Sequence, residues 1–148
     1  MLSSETVAAI SKHAQDEYPA ECCGIVTGMG STQRVHRCRN QQDELHAQDP
    51  ETHPRTSREA YDIDRNEMER IFSDAAAANE NVVAFYHSHI DCGAYFSEMD
   101  REVQTVFGEP EFPSALHVVV AVYAGKVAAI KGFLWNGKKE DFIDMQVE

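Results

Sequence analysis

The chain has 148 residues and a formal net charge of −12 at pH 7, because 25 Asp and Glu residues outnumber 13 Lys and Arg residues. With 43% hydrophobic and 26% charged residues, its composition indicates one globular domain rather than a disordered chain. The negative charge disfavours nucleic acid and anionic membrane surfaces as partners, and no apolar stretch is long enough to span a membrane.

The first third of the chain predicts a helix, a hairpin and a long loop. A helix over residues 3–18, capped by one of the serines at its start, ends before a proline. Residues 22–28 form a short buried strand closed by glycine, with residues 33–39 as its hairpin partner. Residues 40–57 are polar and lack periodicity, which predicts a long loop that is either a mobile connection or one wall of a functional site.

The middle of the chain predicts two strands separated by a helix. Residues 58–64 read as a short strand, and Asp64 then caps a helix over residues 65–79. Residues 81–89 are rich in β-branched and aromatic side chains with little alternation, as expected of a strand buried on both faces. A loop over residues 90–96 follows this strand.

The last third predicts one helix and the remaining strands. A helix over residues 97–107 precedes strands over residues 114–125 and 127–135. Asn136-Gly137 is typical of a two-residue hairpin turn, after which residues 138–147 complete the sheet. Strands before, between and after two or three helices favour an α/β or α+β class, with helices packed on a mixed sheet.

The spacing of His87, His89 and Asp100 predicts a metal site at a junction of strand, loop and helix. Side chains alternate along a strand, so the two histidines leave one face with Cβ atoms roughly 6–7 Å apart, close enough to bind one ion. Asp100, one turn into the following helix, supplies a third ligand. Two histidines and one carboxylate, with a fourth position left for water, are typical of catalytic rather than structural zinc.

A hydrolytic zinc site also needs a base, and Glu21 is the best candidate because it lies where the first helix gives way to a buried strand. Glu17 and Glu98 stay open as alternatives, because spacing does not choose among the three. Each motif residue also has a structural interpretation: the histidines as separate buried side chains, and Ser97 with Asp100 as a helix capping box. Their occurrence together at one junction favours the metal site.

The segment HSHIDCGAYFSEMD resembles the JAMM motif of the JAB1/MPN metallopeptidase family. The upstream segment YPAECCGIVTG is similar to the stretch that carries the family's catalytic glutamate. The similarity covers nearly the whole chain and is greatest with small prokaryotic members, such as the Mec-type peptidases. It implies one metallopeptidase domain over residues 1–148, with a cytidine-deaminase-like, curved mixed β-sheet flanked by helices.

The resemblance also implies roles for individual residues. His87, His89 and Asp100 bind Zn²⁺, Glu21 acts as general base and then general acid, and the Ser97 hydroxyl donates to the oxyanion. The implied substrate is the amide bond after the Gly-Gly-type C-terminal tail of a ubiquitin-like or sulfur-carrier protein. The amine on the other side of that bond belongs to a lysine, a cysteine or a peptide. An extended tail of this kind can pair with a sheet edge as an added strand.

One departure from the family lies in the loop after the second histidine. Ile90 stands where prokaryotic relatives often have proline, which predicts a different loop path. Cys92 in the same loop is interpreted as a free thiol, and a second hypothesis makes its thiolate a fourth zinc ligand that holds the enzyme inactive.

Three other functions stay open: a non-catalytic MPN scaffold, a RadC-like protein linked to DNA, and a small-molecule zinc amidohydrolase. The complete ligand set argues against the scaffold, and Glu21 together with the negative charge argues against the DNA-linked protein. The sequence does not exclude the amidohydrolase and does not indicate an oligomeric state.

The N-terminus lacks a basic segment followed by a long apolar one, so we expect no secretory signal and a cytoplasmic location. In that compartment, cysteines are kept as thiols. We therefore expect no disulfide among the four cysteines of the chain, which are Cys22, Cys23, Cys38 and Cys92.

Overall fold

The computed structural model describes residues 1–148 and contains four α-helices, a six-stranded sheet and a small two-stranded sheet. The helices are α1 (Ser4–Glu17), α2 (Gln42–Gln48), α3 (Arg65–Ala77) and α4 (Glu98–Gln104). The strands are β1 (Cys23–Met29), β2 (Thr32–Cys38), β3 (Asn81–Ile90), β4 (Thr105–Val106), β5 (Glu109–Pro110), β6 (Leu116–Tyr123), β7 (Lys126–Asn136) and β8 (Asp141–Met145). No helix combines the length and the apolar character that crossing a membrane requires.

The large sheet is mixed, with the strand order β2-β1-β3-β6-β7-β8. All neighbouring pairs are antiparallel except β3 and β6, which run parallel. A parallel pair needs a long crossover, and here α4 and the hairpin of β4 and β5 provide it. The predicted class, helices flanking a mixed β-sheet in a single α/β domain, is confirmed.

Helices cover both faces of the large sheet. On one face, α1 packs against a buried cluster that contains Ile10, Tyr86 and Val120. On the other face, α3 packs against a second cluster that contains Ile71 and Phe85. Because side chains alternate along β3, residues 85, 87 and 89 share the face covered by α3.

The two adjacent cysteines at the start of β1 point into different layers. Cys22 belongs to the cluster under α1, whereas Cys23 belongs to the cluster under α3. All four cysteines of the chain are free thiols in the structure.

A helix, α2, occupies part of the segment for which the sequence predicts an unbroken loop. Asp43 in its first turn accepts hydrogen bonds from the backbone N–H of Ser57 at 2.7 Å and from its hydroxyl at 2.8 Å. Gln42 is the one buried residue of this helix. Polar contacts rather than an apolar face hold α2, so apolar periodicity could not reveal it.

The predicted strand over residues 58–64 is wrong. Residues 58 and 59 lie in a turn, the rest of the segment has no regular structure, and its single isolated bridge joins Ile63 to Asn40. The Asn40 side chain donates to the carbonyl of Ala60 at 3.1 Å and accepts from the N–H of Asp62 at 3.1 Å. A side chain thus satisfies backbone groups that a neighbouring strand would otherwise pair.

The helix predicted over residues 97–107 ends earlier, at Gln104. The β-branched residues Thr105 and Val106 instead form β4, which pairs with β5. Phe107 and Gly108 join the two strands with φ values of 53° and 79°, as a tight hairpin turn requires.

The predicted two-residue turn at Asn136-Gly137 is wrong, because Asn136 pairs with Asp141 and four residues lie between them. The Asn136 side chain accepts hydrogen bonds from the N–H groups two and three residues onward, at 3.0 and 3.2 Å. These bonds stabilise a longer loop. The two-residue turn lies instead between β6 and β7, where Ala124 and Gly125 have φ values of 49° and 82°.

The other predicted elements are confirmed to within about three residues at each end: α1, α3, β1, β2, β3, β6, β7 and β8.

Candidate metal centre

Three buried side chains from two elements meet beside the centre of the large sheet. His87 and His89 lie near the end of β3, and Asp100 lies in the first turn of α4. The Nε2 atom of His87 is 3.0 Å from Oδ1 of Asp100, and Nε2 of His89 is 3.3 Å from Oδ2. The two Nε2 atoms are 3.3 Å apart. The structure therefore brings together the three residues that the sequence motif singles out as ligands.

The hydrogen bond of the second histidine shows that this cluster fits a cation. Nδ1 of His89 lies 2.9 Å from the carbonyl oxygen of Gly93. A carbonyl oxygen only accepts, so we assign the ring proton to Nδ1, which leaves a lone pair on Nε2 of the neutral ring. That lone pair faces the Asp100 carboxylate, and two acceptors face each other favourably only with a proton or a metal ion between them.

Asp100 is ionised although it is only 4% exposed. Burial by itself raises the pKa of this carboxyl group. The interactions with His87 and the hydrogen bond from the N–H of Ser97 outweigh burial and hold the pKa of Asp100 well below its usual range. The group is thus a carboxylate, the form that binds metal ions.

An aromatic side chain from the segment before α3 supports one of the histidines. The ring of Tyr61 stacks on His87, with the ring centroids 4.5 Å apart and the planes inclined by 25°. Its hydroxyl accepts a long hydrogen bond of 3.4 Å from Nε2 of Gln104 on α4. Tyr61 therefore links the two elements that carry the cluster. Sequence reasoning missed it, because an aromatic residue outside regular structure gives no signal of such a contact.

Ser97 forms the helix capping box that its spacing from Asp100 predicts. Its Oγ accepts a hydrogen bond from the N–H of Asp100 at 3.0 Å, and its own N–H donates to Oδ2 of Asp100 at 2.9 Å. This capping box fixes the position of Oγ. The hydroxyl proton of Ser97 has no acceptor within the chain. Ser97 lines the cavity beside the cluster.

The backbone of Glu21 is held from two sides just before β1. Its N–H donates to the carbonyl of Ser57 at 2.7 Å, and its carbonyl accepts from Nδ2 of Asn40 at 3.0 Å. The next residue, Cys22, donates its N–H to Oγ of Ser88 at 2.7 Å, and Ser88 lies between the two histidines on β3. Glu21 is thus fixed in position relative to the histidine pair.

The side chain of Glu21 is 5% exposed and lines a cavity of about 230 Å³ together with His89, Ser97 and Asp100. Burial raises the pKa of Glu21 to about 9, the negative charge of Asp100 adds to the rise, and the positive charge of Arg55 opposes it.

Neither of the other two glutamates considered from the sequence lines this cavity. Glu17 is exposed on α1, where it lies 3.8 Å from Nε2 of His13. Glu98 is exposed on α4. Of the three, Glu21 alone shares a cavity with the histidine and aspartate cluster.

Cys92 lines the cavity but is not part of the cluster. The ligand atoms that lie within 4.8 Å of one another belong only to His87, His89 and Asp100. Burial raises the pKa of the Cys92 thiol, which favours the protonated form over the thiolate that binds metals. Its role as a fourth ligand stays a hypothesis.

The loop after the second histidine begins one residue later than the sequence suggests. Ile90 still belongs to β3 and pairs with Val122 of β6. The chain then turns at Asp91, whose φ is 54°. The Asp91 carboxylate accepts hydrogen bonds from the N–H of Ala124 at 3.0 Å and from the Tyr18 hydroxyl at 2.9 Å.

Residues 55–60 form one wall of the cavity, and two of the wall residues are Arg55 and Arg58. The sequence suggested a wall from this part of the chain but gave no reason to single out the arginines. They lie outside the recognised motif, and their approach to Glu21 depends on long-range hydrogen bonds.

Comparison with protein families places these residues in a wider context. The family described as prokaryotic homologs of the JAB domain matches residues 3–132.

Two curated proteins illustrate the range of relatives. Over 102 residues, 68% of this chain, it is 35% identical to the tail tip assembly protein K of Escherichia phage N15. The match covers 34% of the phage protein, so this chain spans about a third of that relative's length. Over 121 residues, it is 28% identical to the CysO-cysteine peptidase of Mycobacterium tuberculosis, covering 82% of this chain and 72% of the peptidase.

Two solution structures share the fold. A protein from Desulfitobacterium hafniense superposes with a TM-score of 0.69 at 19% identity, covering 98% of this chain and 88% of the other. A protein from Salinibacter ruber superposes with a TM-score of 0.62 at 27% identity, covering 99% and 90%. The similarity to the Desulfitobacterium hafniense protein, at 19% identity, supports a shared fold alone.

Proposed function

Because this chain belongs to the family of prokaryotic homologs of the JAB domain, we propose that residues 1–148 form a zinc metallopeptidase domain. The observation that carries the proposal is the buried cluster of His87, His89 and Asp100, whose ligand atoms converge beside a buried glutamate. The proposed reaction is hydrolysis of the amide bond after the Gly-Gly-type tail of a sulfur-carrier or ubiquitin-like protein. Similarity to a CysO-cysteine peptidase supports this class of reaction.

Nε2 of His87, Nε2 of His89 and the Asp100 carboxylate would hold the zinc ion, since two imidazoles and one carboxylate are typical ligands of catalytic zinc. When bound, zinc supplies Lewis acidity, which makes water a stronger acid and polarises an amide carbonyl. The hydrogen bond from His89 to Gly93 and the stacking of Tyr61 on His87 orient the two rings for binding.

Glu21 is the proposed proton carrier of the reaction. Its carboxylate accepts the proton of the attacking water and then donates it to the leaving amine nitrogen. Burial raises the pKa of Glu21 and makes its carboxylate a stronger base than a carboxylate in water. A cation at the neighbouring ligands opposes this rise, so the group exchanges its proton nearer to neutral pH.

Ser97 is the proposed hydrogen-bond donor to the developing oxyanion. Its Oγ is fixed by the bond from the N–H of Asp100, while its hydroxyl proton is uncommitted within the chain. A donor that is already in place needs no reorganisation when negative charge forms on the carbonyl oxygen.

Single substitutions distinguish the proposed role of Glu21 as proton carrier from the proposed role of the histidines and Asp100 as metal ligands. We expect Glu21→Gln to lower kcat by about 10²–10⁴-fold on a Gly-Gly-tailed fusion while the protein keeps its zinc. We expect His87→Ala to lose the metal. Mass spectrometry of the fusion, with and without chelator, measures cleavage, and elemental analysis measures zinc.

Glu17→Gln and Glu98→Gln are the matched controls, because both remove an exposed carboxylate outside the cavity. Near-full activity in Glu21→Gln with zinc bound would contradict the role of Glu21. A zinc-loaded wild-type protein that cleaves none of the tailed fusions would contradict the proposed substrate class.

A further inference from the structure

Two arginines line the cavity that contains the candidate base and ligands. Arg55 and Arg58 share this cavity with Glu21, Ser97 and Asp100. The other charged residues of its lining are the acids Glu21, Glu59 and Asp100, so the two arginines are the permanent positive charges of this cavity. Guanidinium groups in such a position attract negatively charged groups of a ligand.

Neither arginine is committed to a partner within the protein. Arg55 forms no ion pair, and the one hydrogen bond it makes through its backbone carbonyl leaves its guanidinium free. Arg58 lies 3.6 Å from Asp91, and both side chains are substantially exposed, so this contact is weak. Asp91 already accepts hydrogen bonds from the Ala124 N–H and the Tyr18 hydroxyl, so it does not depend on Arg58.

The backbone that carries the arginines is nevertheless anchored beside Glu21. Nε2 of Gln42 donates to the carbonyl of Arg55 at 2.9 Å, and Asp43 holds Ser57 through two hydrogen bonds. The carbonyl of Ser57 in turn accepts the N–H of Glu21 at 2.7 Å. The charge of Arg55 also lowers the pKa of Glu21, opposing the effect of burial. The backbone at residues 55–57 is thus fixed beside the proposed proton carrier, and both arginine side chains line the same cavity as its carboxyl group.

The chemistry of the leaving amine indicates which group the two arginines would bind. Glu21 donates its proton to the leaving nitrogen, so groups next to Glu21 face the atoms attached to that nitrogen. In an α-amino acid, the carboxylate is carried by the same Cα as the nitrogen. In an isopeptide, the lysine ε-nitrogen carries only a methylene chain. The cavity, about 230 Å³, is below the roughly 300–1,000 Å³ of sites for larger ligands, and it suits one small residue.

We propose that Arg55 and Arg58 bind the free α-carboxylate of the leaving amino acid, so that the enzyme removes a single C-terminal residue from the carrier tail. The inference rests on the proposed function. Water adds across the amide C–N bond: its oxygen joins the carbonyl carbon, and one proton passes through Glu21 to the leaving nitrogen. Guanidinium groups bind carboxylates through paired, charge-assisted hydrogen bonds.

The test compares two carrier fusions that end in Gly-Gly-Ala, one as the free acid and one as the C-terminal carboxamide. We expect the zinc-loaded protein to cleave the acid with a kcat/KM about tenfold or more above that of the carboxamide. We expect Arg55→Gln combined with Arg58→Gln to lower the ratio of the two kcat/KM values, acid over carboxamide, to about one; loss of the Arg55 charge also changes the pKa of Glu21, but it does so for both substrates and leaves this ratio as the readout. Arg70→Gln, which removes an exposed, unpaired arginine on α3, should preserve the preference.

A binding measurement gives a second readout. In the zinc-loaded Glu21→Gln background, the acid should bind more tightly than the carboxamide, and adding Arg55→Gln and Arg58→Gln should abolish the difference. Equal cleavage of acid, carboxamide and lysine isopeptide, or a preference that survives the arginine substitutions, would overturn this inference and leave the proposed function intact. Absence of cleavage of every fusion by the zinc-loaded protein would overturn both.

Discussion

Two carboxyl groups in one cavity, Glu21 and Asp100, have pKa values displaced in opposite directions. The side chain of Glu21 is buried without a hydrogen-bond donor, whereas Asp100 lies within 3.3 Å of Nε2 of both histidines and accepts a hydrogen bond from the N–H of Ser97. When the environments of two neighbouring acids shift their pKa values in opposite directions, the acid with the raised pKa commonly carries a proton during the reaction. The acid with the lowered pKa commonly stays ionised. Their different local contacts therefore support different roles for two chemically similar residues.

The pKa of Glu21 predicts a pH dependence for the stability of the metal-free protein. The folded state keeps a proton up to about pH 9, while the unfolded state releases it near pH 4.5. The free energy of unfolding therefore contains a contribution that is complete below pH 4.5 and is lost as pH rises toward 9. At pH 7, Glu21→Gln should be more stable than wild type by on the order of 1–3 kcal/mol.

Urea unfolding of chelator-treated protein at pH 5, 7 and 8 measures this difference. Glu17→Gln, which removes an exposed carboxylate, should follow the wild-type curve. A parallel pH dependence in wild type and Glu21→Gln would contradict the prediction.

At the scale of secondary structure elements, the ring of Tyr86 on β3 packs directly on the backbone of β1 because Gly24 lacks a side chain. Gly24 lies opposite Tyr86, and a Cβ atom at Gly24 would lie 2.3 Å from the tyrosine ring. That ring cannot easily move, because its hydroxyl is hydrogen-bonded to Nδ1 of buried His13 at 2.6 Å. The contact joins both strands to α1 near the start of β1, three residues after Glu21.

We expect Gly24→Ala to lower the free energy of unfolding by about 1–3 kcal/mol or more, because the added methyl group overpacks this contact. Gly137→Ala is the matched control: its Cβ would meet nothing closer than 3.9 Å, and its backbone is not left-handed. Chemical denaturation measures both variants, and equal stability of the two would contradict the overpacking.

The elements that sequence reasoning predicted correctly are those with a local signal. Runs of β-branched and apolar residues revealed β3 and β6, and a capping aspartate with an apolar stripe revealed α3. By contrast, α2 and the segment over residues 58–64 depend on hydrogen bonds between distant side chains, notably those of Asn40 and Asp43. No local pattern encodes such contacts.

The residues of the candidate site fall into the same two groups: those that a local pattern in the sequence predicts, and those that it does not. The histidines and Asp100 fall within one short string, so their convergence could be predicted from strand alternation and helix geometry. Tyr61 and Arg55 reach the site only through the tertiary fold, and neither belongs to a recognisable spacing. The sequence thus predicted the proposed metal ligands better than the residues around them.

At the scale of the whole molecule, the proposed metal site joins segments that lie far apart along the chain. β3 and α4 supply the cluster, and the chain before β1 supplies Glu21. A ligand that binds only the folded state raises its stability by an amount set by the ratio of free ligand to Kd.

We therefore expect zinc at 100 times its Kd to stabilise the protein by about 2.7 kcal/mol, which raises the Tm by about 5–10 °C for a domain of this size. Calorimetric scans with zinc and with chelator measure the shift. Mg²⁺ should give little shift, because it prefers oxygen ligands. Asp100→Asn should greatly reduce the zinc shift, and an undiminished shift in that variant would place zinc elsewhere.

The parallel pairing of β3 with β6 has a consequence for how the protein is made. Every residue of the proposed site precedes β6, and β3 is flanked by β1 on one side only until β6 has been synthesised. A ribosome-bound chain that stops before residue 116 thus exposes an apolar strand edge, the kind of surface through which nascent chains aggregate.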